Sequence, residues 1–256
     1  MKVKLSGVII TFNEEKNIER CLLSLKDIVD EIVVIDSFST DRTKGICEKY
    51  NVRFIQNPFK GHVEQKNKAL DSARHSYVLS LDADEELSPR LKKSIVRIKE
   101  NWNADGYYFN RLTNFCGTWI RHSGWYPDRK LRLWNREKGR WGGLNPHDRV
   151  MMKPGSQLHF LRGDLNHYSY TTTDEFTERT RKYSLIGARS LFQQGKKPSY
   201  LKLVFSPAWR FIKHYVAGLG FLDGYNGLLI SRTLAKGVYL KYKELFHLYQ
   251  QNKTNS

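Results

Sequence analysis

The sequence predicts an α/β protein: a mixed, mainly parallel sheet flanked by helices, followed by a helical C-terminal region. Three observations predict it. Apolar, β-branched runs alternate with segments of helical period through the first hundred residues. The connections are short, and such strand–helix alternation implies a parallel sheet with right-handed crossovers. From about residue 174 onward the strand pattern stops and helical spacing takes over. These patterns divide the chain into an expected α/β domain, residues 1–173, and an expected helical region, residues 174–256.

The segment KLSGVIITFN (4–13) reads as the first strand, and EEKNIERCLLSLKD follows with Ile18, Cys21, Leu22 and Leu25 at helical spacing. EIVVIDS (31–37) is the second strand. STDRTKGICEKY (39–50) is the next helix, with Ser39 or Thr40 as N-cap. VRFIQN (52–57) is a short third strand, residues 63–74 are helical, and SYVLSLDAD (76–84) is a fourth strand. Ser88 as N-cap and Pro89 at the first helical position open a helix that carries Leu91, Ile95 and Ile98 inward. After residue 104, DGYYFNRL, RKLRLWN and DRVMM read as strands, separated by the turns HSGWYPD and RWGGLNPHD.

Composition narrows the function classes. The 256 residues are 40% hydrophobic and 27% charged, the balance of a folded domain rather than a disordered chain. Cys21, Cys47 and Cys116 are far apart and fit neither a disulfide framework nor a CxxC zinc pattern, which points to a reducing compartment. Cys21 falls on the apolar helix face and is expected in the core. The first residues lead straight into a strand pattern, so no signal peptide is expected. The net charge of +17 is uneven: residues 151–256 hold 16 basic and 6 acidic side chains. Such a field favours an anionic partner, whether nucleotide, nucleic acid or acidic phospholipid.

The segment YVLSLDADEEL (77–87) ends an apolar strand in Asp82, Asp84, Glu85 and Glu86. Crowded carboxylates repel unless a cation, a proton or solvent intervenes. In open parallel sheets ligands bind beyond the carboxyl ends of the strands. The polar residues at those ends are Thr11, Asn13, Asp36, Asp82 and Asp84, so all are expected to face one crevice. An Asp-x-Asp pair there suits magnesium or manganese bridging the protein to a diphosphate. Asp36 can accept a hydrogen bond from a base N–H or a ribose hydroxyl. Lys66 either meets the nucleotide or lies on a solvated helix face.

VIITFNEEKNIERCLLSL, DSFSTDRT and LDADEEL together resemble the successive motifs of the family-2 inverting glycosyltransferases of the GT-A (Rossmann-like) fold. The subgroup most similar is the lipopolysaccharide-core glucosyltransferases that use UDP-glucose. The resemblance implies that Thr11, Asn13, Glu14 and Asp36 surround uracil and ribose, with Lys66 and Asn67 near the nucleotide. It implies Asp82 at the ribose or the metal and Asp84 on the metal, manganese or magnesium. His167, in GDLNHYSY, matches a late histidine that completes the metal site in some GT-A enzymes; a structural role is the alternative.

On the acceptor side, WYPDRKLRLWNR followed by NPHD resembles a subgroup segment that ends in His-Glu, here with the shorter Asp148. The resemblance makes Asp148 the candidate general base, with His147 as a neighbour. A turn residue after Pro146 is the alternative. Arg129 and Arg132 are either phosphate clamps or ordinary strand charges. The implied activity is transfer of a hexose from a UDP-sugar to a hydroxyl of a cell-envelope glycan or glycolipid.

Residues 200–249 interleave aromatics with basic residues but hold no run of about 18 uncharged apolar residues, so no spanning helix is expected. Trp209, Phe211, Tyr215 and Phe221 beside Arg210, Lys213 and His214 suit a helix lying on an anionic membrane; helices packed on the catalytic domain are the alternative. The expected location is the cytoplasm, at the inner face of the cytoplasmic membrane. Among other functions, a sugar nucleotidyltransferase would normally open with a Gly-rich loop, and TFNEEKN has no glycine. A nucleic-acid-binding module would have its phosphate backbone repelled by the crevice acids. An inactive scaffold would not need acids at all three strand ends.

Overall fold

The computed structural model describes residues 2–144 and 147–254, without the side chains of Leu144, His147, Lys253 and Thr254. The chain forms two compact units, Met1–Leu112 with Asp128–Tyr168, and Thr113–Pro127 with Ser169–Ser256. The segment between residues 113 and 127 therefore clusters with the C-terminal helices.

The first part of the chain runs β1 (Leu5–Thr11), α1 (Ile18–Leu25), β2 (Glu31–Asp36), α2 (Thr43–Cys47), β3 (Arg53–Gln56), α3 (His62–Ser72), β4 (Tyr77–Asp82), β5 (Glu85–Leu87) and α4 (Pro89–Glu100). Next come β6 (Gly106–Phe115), β7 (Thr118–Ile120), β8 (Asp128–Asn135), β9 (Gly139–Leu144), β10 (His147–Met152) and β11 (Leu158–Tyr170). The main sheet has the order β3-β2-β1-β4-β8-β6-β11-β5, with β7 paired to β6, while β9 and β10 form a separate hairpin. Pairing is parallel from β3 to β4 and antiparallel between β4 and β8 and between β8 and β6.

Alternation along β1 explains why its sequence is almost wholly apolar. Leu5 and Ile9 point to one side and pack in a core with Ile18, Leu22 and Leu25 of α1. Val8 points to the other, where Ala69 and Leu70 of α3 cover it. A strand buried on both faces needs a continuous apolar run. Each such side chain stabilises the fold by roughly 1.5–3 kcal/mol through burial.

The expected Ser88 cap is present: its hydroxyl accepts from the Leu91 N–H at 3.3 Å. It also accepts from the Asp164 N–H at 3.1 Å, tying α4 to β11. There β11 passes so close that a Cβ on Gly163 would lie 2.4 Å from the Leu91 nitrogen.

Three local expectations are corrected. α2 starts only at Thr43, and neither Ser39 nor Thr40 caps it; the Ser39 hydroxyl is engaged elsewhere, as described below. RWGGL, expected as a turn, is strand β9, held by pairing with β10. Glu85–Leu87, which lay outside every expected strand, pairs with Leu165–His167 of β11.

The second unit contains α5 (Thr173–Gln193), α6 (Tyr200–Ile212) and α7 (Gly224–Thr254). A π-helical turn, Lys213–Ala217, and a 3-10 turn, Gly220–Asp223, link the last two helices. Among the described residues, no helix is long and apolar enough to cross a membrane.

Candidate active site

The carboxyl ends of β1, β2 and β4 are level, since Thr11 pairs with Asp36 and Ile10 with Asp82. The sequence-predicted residues gather there in three groups.

The first group is a pair of loops pinned to each other. Asp36 is fully buried, and its carboxylate accepts the Ser39 N–H at 2.8 Å and the Ser39 hydroxyl at 2.5 Å. The Ser39 hydroxyl in turn accepts the Asn13 N–H at 2.8 Å. The Asn13 side-chain oxygen accepts the Thr40 N–H at 2.8 Å. Asn13 adopts φ +55° and Phe38 φ +62°, a conformation costly for non-glycine residues and maintained here by these bonds. Phe12 and Phe38, one from each loop, remain more than half exposed. The Thr11 hydroxyl is buried with no partner among the described residues.

The second group centres on Lys66. Its Nζ lies 2.8 Å from Asp148 Oδ2 and 3.0 Å from Asp82 Oδ1, and 4.3 Å from the centre of the Trp141 ring. Lys66 is only 4% exposed, so the solvated-face alternative falls. Arg132 joins from β8, donating to Asp82 Oδ2 at 2.9 Å and to Glu85 Oε1 at 3.0 Å. Burial by itself would raise the Asp82 carboxyl, but Lys66 and Arg132 outweigh it and hold that group well below the usual carboxylate range. For Arg132 burial works against the charge, while Glu85 and Asp82 keep the guanidinium protonated. Arg129 stands apart: it is exposed, 5.9 Å from the Tyr108 ring.

Asn67 uses its amide twice on one backbone. It donates to the Trp141 carbonyl at 2.9 Å and accepts the Trp141 N–H at 3.1 Å. It thereby fixes hairpin β9–β10, which carries both Trp141 and Asp148, to α3. Arg132 Nε and Trp141 Nε1 are buried with no hydrogen-bond partner among the described residues. An unmade buried hydrogen bond costs roughly 1–3 kcal/mol, so two such donors at one spot mark a place prepared for acceptors.

The third group is Asp84 with His167. Asp84 Oδ2 lies 3.2 Å from His167 Nε2, because the Tyr168 N–H donates to the Asp84 carbonyl at 2.9 Å and sets β11 against this turn. Glu14 belongs to the same field. Burial raises its carboxyl, the hydrogen bond from Asn17 opposes this, and Asp84, Asp41 and Asp82 raise it further.

The family implied by the motifs brings a divalent cation, and the donor set can be tested against it. Among the described residues no set of three His, Cys, Asp or Glu side chains is assembled as a cage. Asp84 and His167 nevertheless converge, their side chains 3.2 Å apart. Two protein ligands suffice for a cation that keeps water and takes phosphate oxygens. Asp82 faces Lys66 and Arg132, so its charge is met without a metal. The residues fit a cation at Asp84 and His167.

Sequence reasoning missed Glu85 and Trp141 and left Arg132 undecided. Glu85 is 1% exposed and its Oε2 accepts the Asp82 N–H at 3.0 Å, closing the acidic turn. Trp141 sat in an expected turn, so nothing marked it as a wall of the site. Of the residues before Asp148, Asn145 and Pro146 lie outside the described residues, as does the His147 side chain.

A half-parallel sheet with polar and charged side chains gathered at its strand ends is the architecture of the GT-A fold. Residues 6–155 match the family described as Glycosyl transferase family 2, and the chain belongs to that family; it is a glycosyltransferase. An uncharacterised glycosyltransferase of Rickettsia bellii is 32% identical over 97% of this chain and 88% of its own. The lipopolysaccharide core biosynthesis glycosyltransferase LpsC of Rhizobium meliloti is 28% identical, covering 94% of each chain. Among solved structures, the mannosyltransferase PcManGT of Pyrobaculum calidifontis, in complex with GDP-Man and Mn2+, matches with a TM-score of 0.54. That match covers 96% of this chain and 88% of the other at 12% identity, and is a likeness of fold.

Proposed function

We propose that this chain is an inverting hexosyltransferase that moves a sugar, glucose first among candidates, from a UDP-sugar to a hydroxyl of the lipopolysaccharide core or a related glycolipid. The single observation that carries this reading is the ion pair of Lys66 with Asp148 at 2.8 Å, next to Asp82 and Arg132. It puts a candidate base, a candidate phosphate-binding cation and unsatisfied donors in one place. The acceptor class is supported by the likeness to LpsC over nearly the whole chain.

In this reading Thr11, Asn13 and Glu14 line the nucleotide pocket, Asp36 shapes it through Ser39, and Phe12 or Phe38 offers a stacking face to the base. Asp84 and His167 hold manganese or magnesium. When bound there, the cation neutralises charge on the departing diphosphate. Lys66 is shared by Asp82 and Asp148 in the free enzyme, and an arriving diphosphate competes for it, leaving Asp148 free to act as base. Asp148 takes the proton of the acceptor hydroxyl as that oxygen's lone pair attacks the anomeric carbon. The bond to UDP breaks on the opposite face, its electron pair leaves with the diphosphate, and the anomeric centre inverts. Residues 1–173 supply this chemistry, and residues 174–256 meet the inner face of the cytoplasmic membrane, where a lipid-borne acceptor resides.

The test is an assay of UDP release from UDP-glucose, with manganese and with a lipopolysaccharide-core acceptor. Acceptor-stimulated release that chelation abolishes is expected. No release from UDP-glucose or any other UDP-hexose would overturn the proposal.

A further inference from the structure

Helix α6 carries its apolar side chains outward. Tyr200, Leu201, Val204, Phe205, Trp209 and Ile212 are 75, 70, 64, 65, 66 and 45% exposed, and no residue of the helix is buried. At the helical advance per residue these positions form one stripe along the axis. The π-helical turn extends it through Val216, 53% exposed. On the same side only Lys202 and Lys213 are charged. Arg210, Phe211 and Tyr215 are half-buried, with Phe211 stacked on Tyr215 at 5.1 Å. Single exposed apolar residues need no explanation, but a contiguous stripe marks a contact surface.

The charge around the stripe selects what covers it. Residues 179–222 contain nine Lys and Arg and no Asp or Glu. A helix with aromatic and aliphatic side chains on one face, set in a stretch whose charged side chains are all basic, suits the headgroup region of an anionic bilayer. Two copies of the chain meeting through this face would bring Lys202 and Lys213 of one against those of the other with no acidic residue of α6 to answer them. The thirteen residues of α6 are also too few to span a bilayer.

We propose that the outward face of α6 docks in the plane of an anionic lipid surface, with Leu201, Val204 and Phe205 entering the acyl boundary, Tyr200 and Trp209 at headgroup level, and Lys202 and Lys213 on the phosphates. This deepens the proposed activity, and rests on it for the purpose of the contact, by naming the face that meets the membrane. The contact itself is measured without any sugar transfer.

The experiment is co-sedimentation of the full chain with vesicles of phosphatidylcholine alone and of phosphatidylcholine mixed with phosphatidylglycerol. Binding at least ~10-fold tighter to the mixed vesicles, weakened by added salt, is expected. Phe205→Asp with Trp209→Asp should weaken it ~100-fold or more, with circular dichroism and UDP release as in the parent chain. Lys202→Glu with Lys213→Glu should remove only the preference for anionic lipid. Equal sedimentation of parent and apolar-face variant, or no sedimentation of the parent, overturns the proposal. So does a dimer in sedimentation velocity that the apolar-face variant dissolves while neither binds vesicles. A chain that sediments but releases no UDP would leave the docking face standing and remove the activity; release without sedimentation would do the reverse.

Discussion

In the first unit Lys66, Arg132, Asp36 and Glu85 are at most 4% exposed, whereas in the second Tyr200, Leu201, Phe205 and Trp209 are 65% exposed or more. At these positions each unit departs from the ordinary distribution of polarity, in opposite senses. A buried charge costs several kcal/mol unless a partner compensates it. In the first unit the partners are present: Lys66 meets two carboxylates, and Arg132 meets Asp82 and Glu85. What is left over there among the described residues is a handful of single atoms, among them the buried N–H groups of Arg132 and Trp141 and the Thr11 hydroxyl. In the second unit a whole face is left over. The contrast teaches why the two proposals differ in kind: single buried donors suit a compact anion with several acceptors, whereas an exposed stripe suits a broad apolar boundary.

Substitutions can break or sharpen this contrast. The largest expected effect is at the candidate base. Asp148→Asn should lower turnover ~10²–10⁴-fold with no loss of UDP affinity, since Lys66 is freed for the diphosphate. Steady-state kinetics alongside UDP titration checks it, and parallel losses in both would make Asp148 a structural partner of Lys66. His167→Ala should weaken manganese binding in the presence of UDP about tenfold or more. Calorimetry gives that number, and unchanged affinity would remove His167 from the metal site.

Lys66→Met leaves Asp82 and Asp148 without their shared cation. A buried pair broken in this way costs roughly 3–5 kcal/mol. Asp82 keeps 27% of its side chain exposed, so about 1–3 kcal/mol is expected in urea denaturation. The pH dependence follows from the same contact. Because the Asp82 carboxyl is held low in the folded state, it stabilises the fold at neutral pH, and that stabilisation fades as pH falls below about 4. Lys66→Met should flatten the acid limb of a stability–pH profile, and an unaltered limb would assign that limb to other carboxylates. The smallest effect is expected from Asn67→Ala, which removes both bonds to Trp141 and should cost about 1–2 kcal/mol. Its sharper readout is a modest fall in turnover, as the hairpin carrying Asp148 loosens; turnover equal to the parent's would deny Asn67 that role.

Much of the fold was legible because β1, β2, β4, α1 and α4 are fixed by local signals: apolar runs, helical spacing and the Ser88–Pro89 start. The misreadings share a cause. β9 is rich in glycine and reads as a turn, yet cross-strand bonds to β10 make it a strand. Ser39 has the chemistry of a cap but is drawn to Asp36, a partner fixed by the turn after β2. In the site, residues at strand ends were readable from topology. Trp141 and Glu85 act through contacts with segments distant in sequence, which no local pattern records. Lys66 shows the same limit: its spacing on α3 says nothing of Asp148, 82 residues away.

The central claim is that the side chains at these strand ends grip a nucleoside diphosphate together with a cation held by Asp84. Titrating UDP into the parent chain and into Asp84→Asn, each with and without manganese, tests it directly. Manganese should tighten UDP binding to the parent and leave the variant's weaker affinity unchanged. UDP affinity indifferent to manganese in both chains, or no UDP binding by either, would contradict the account.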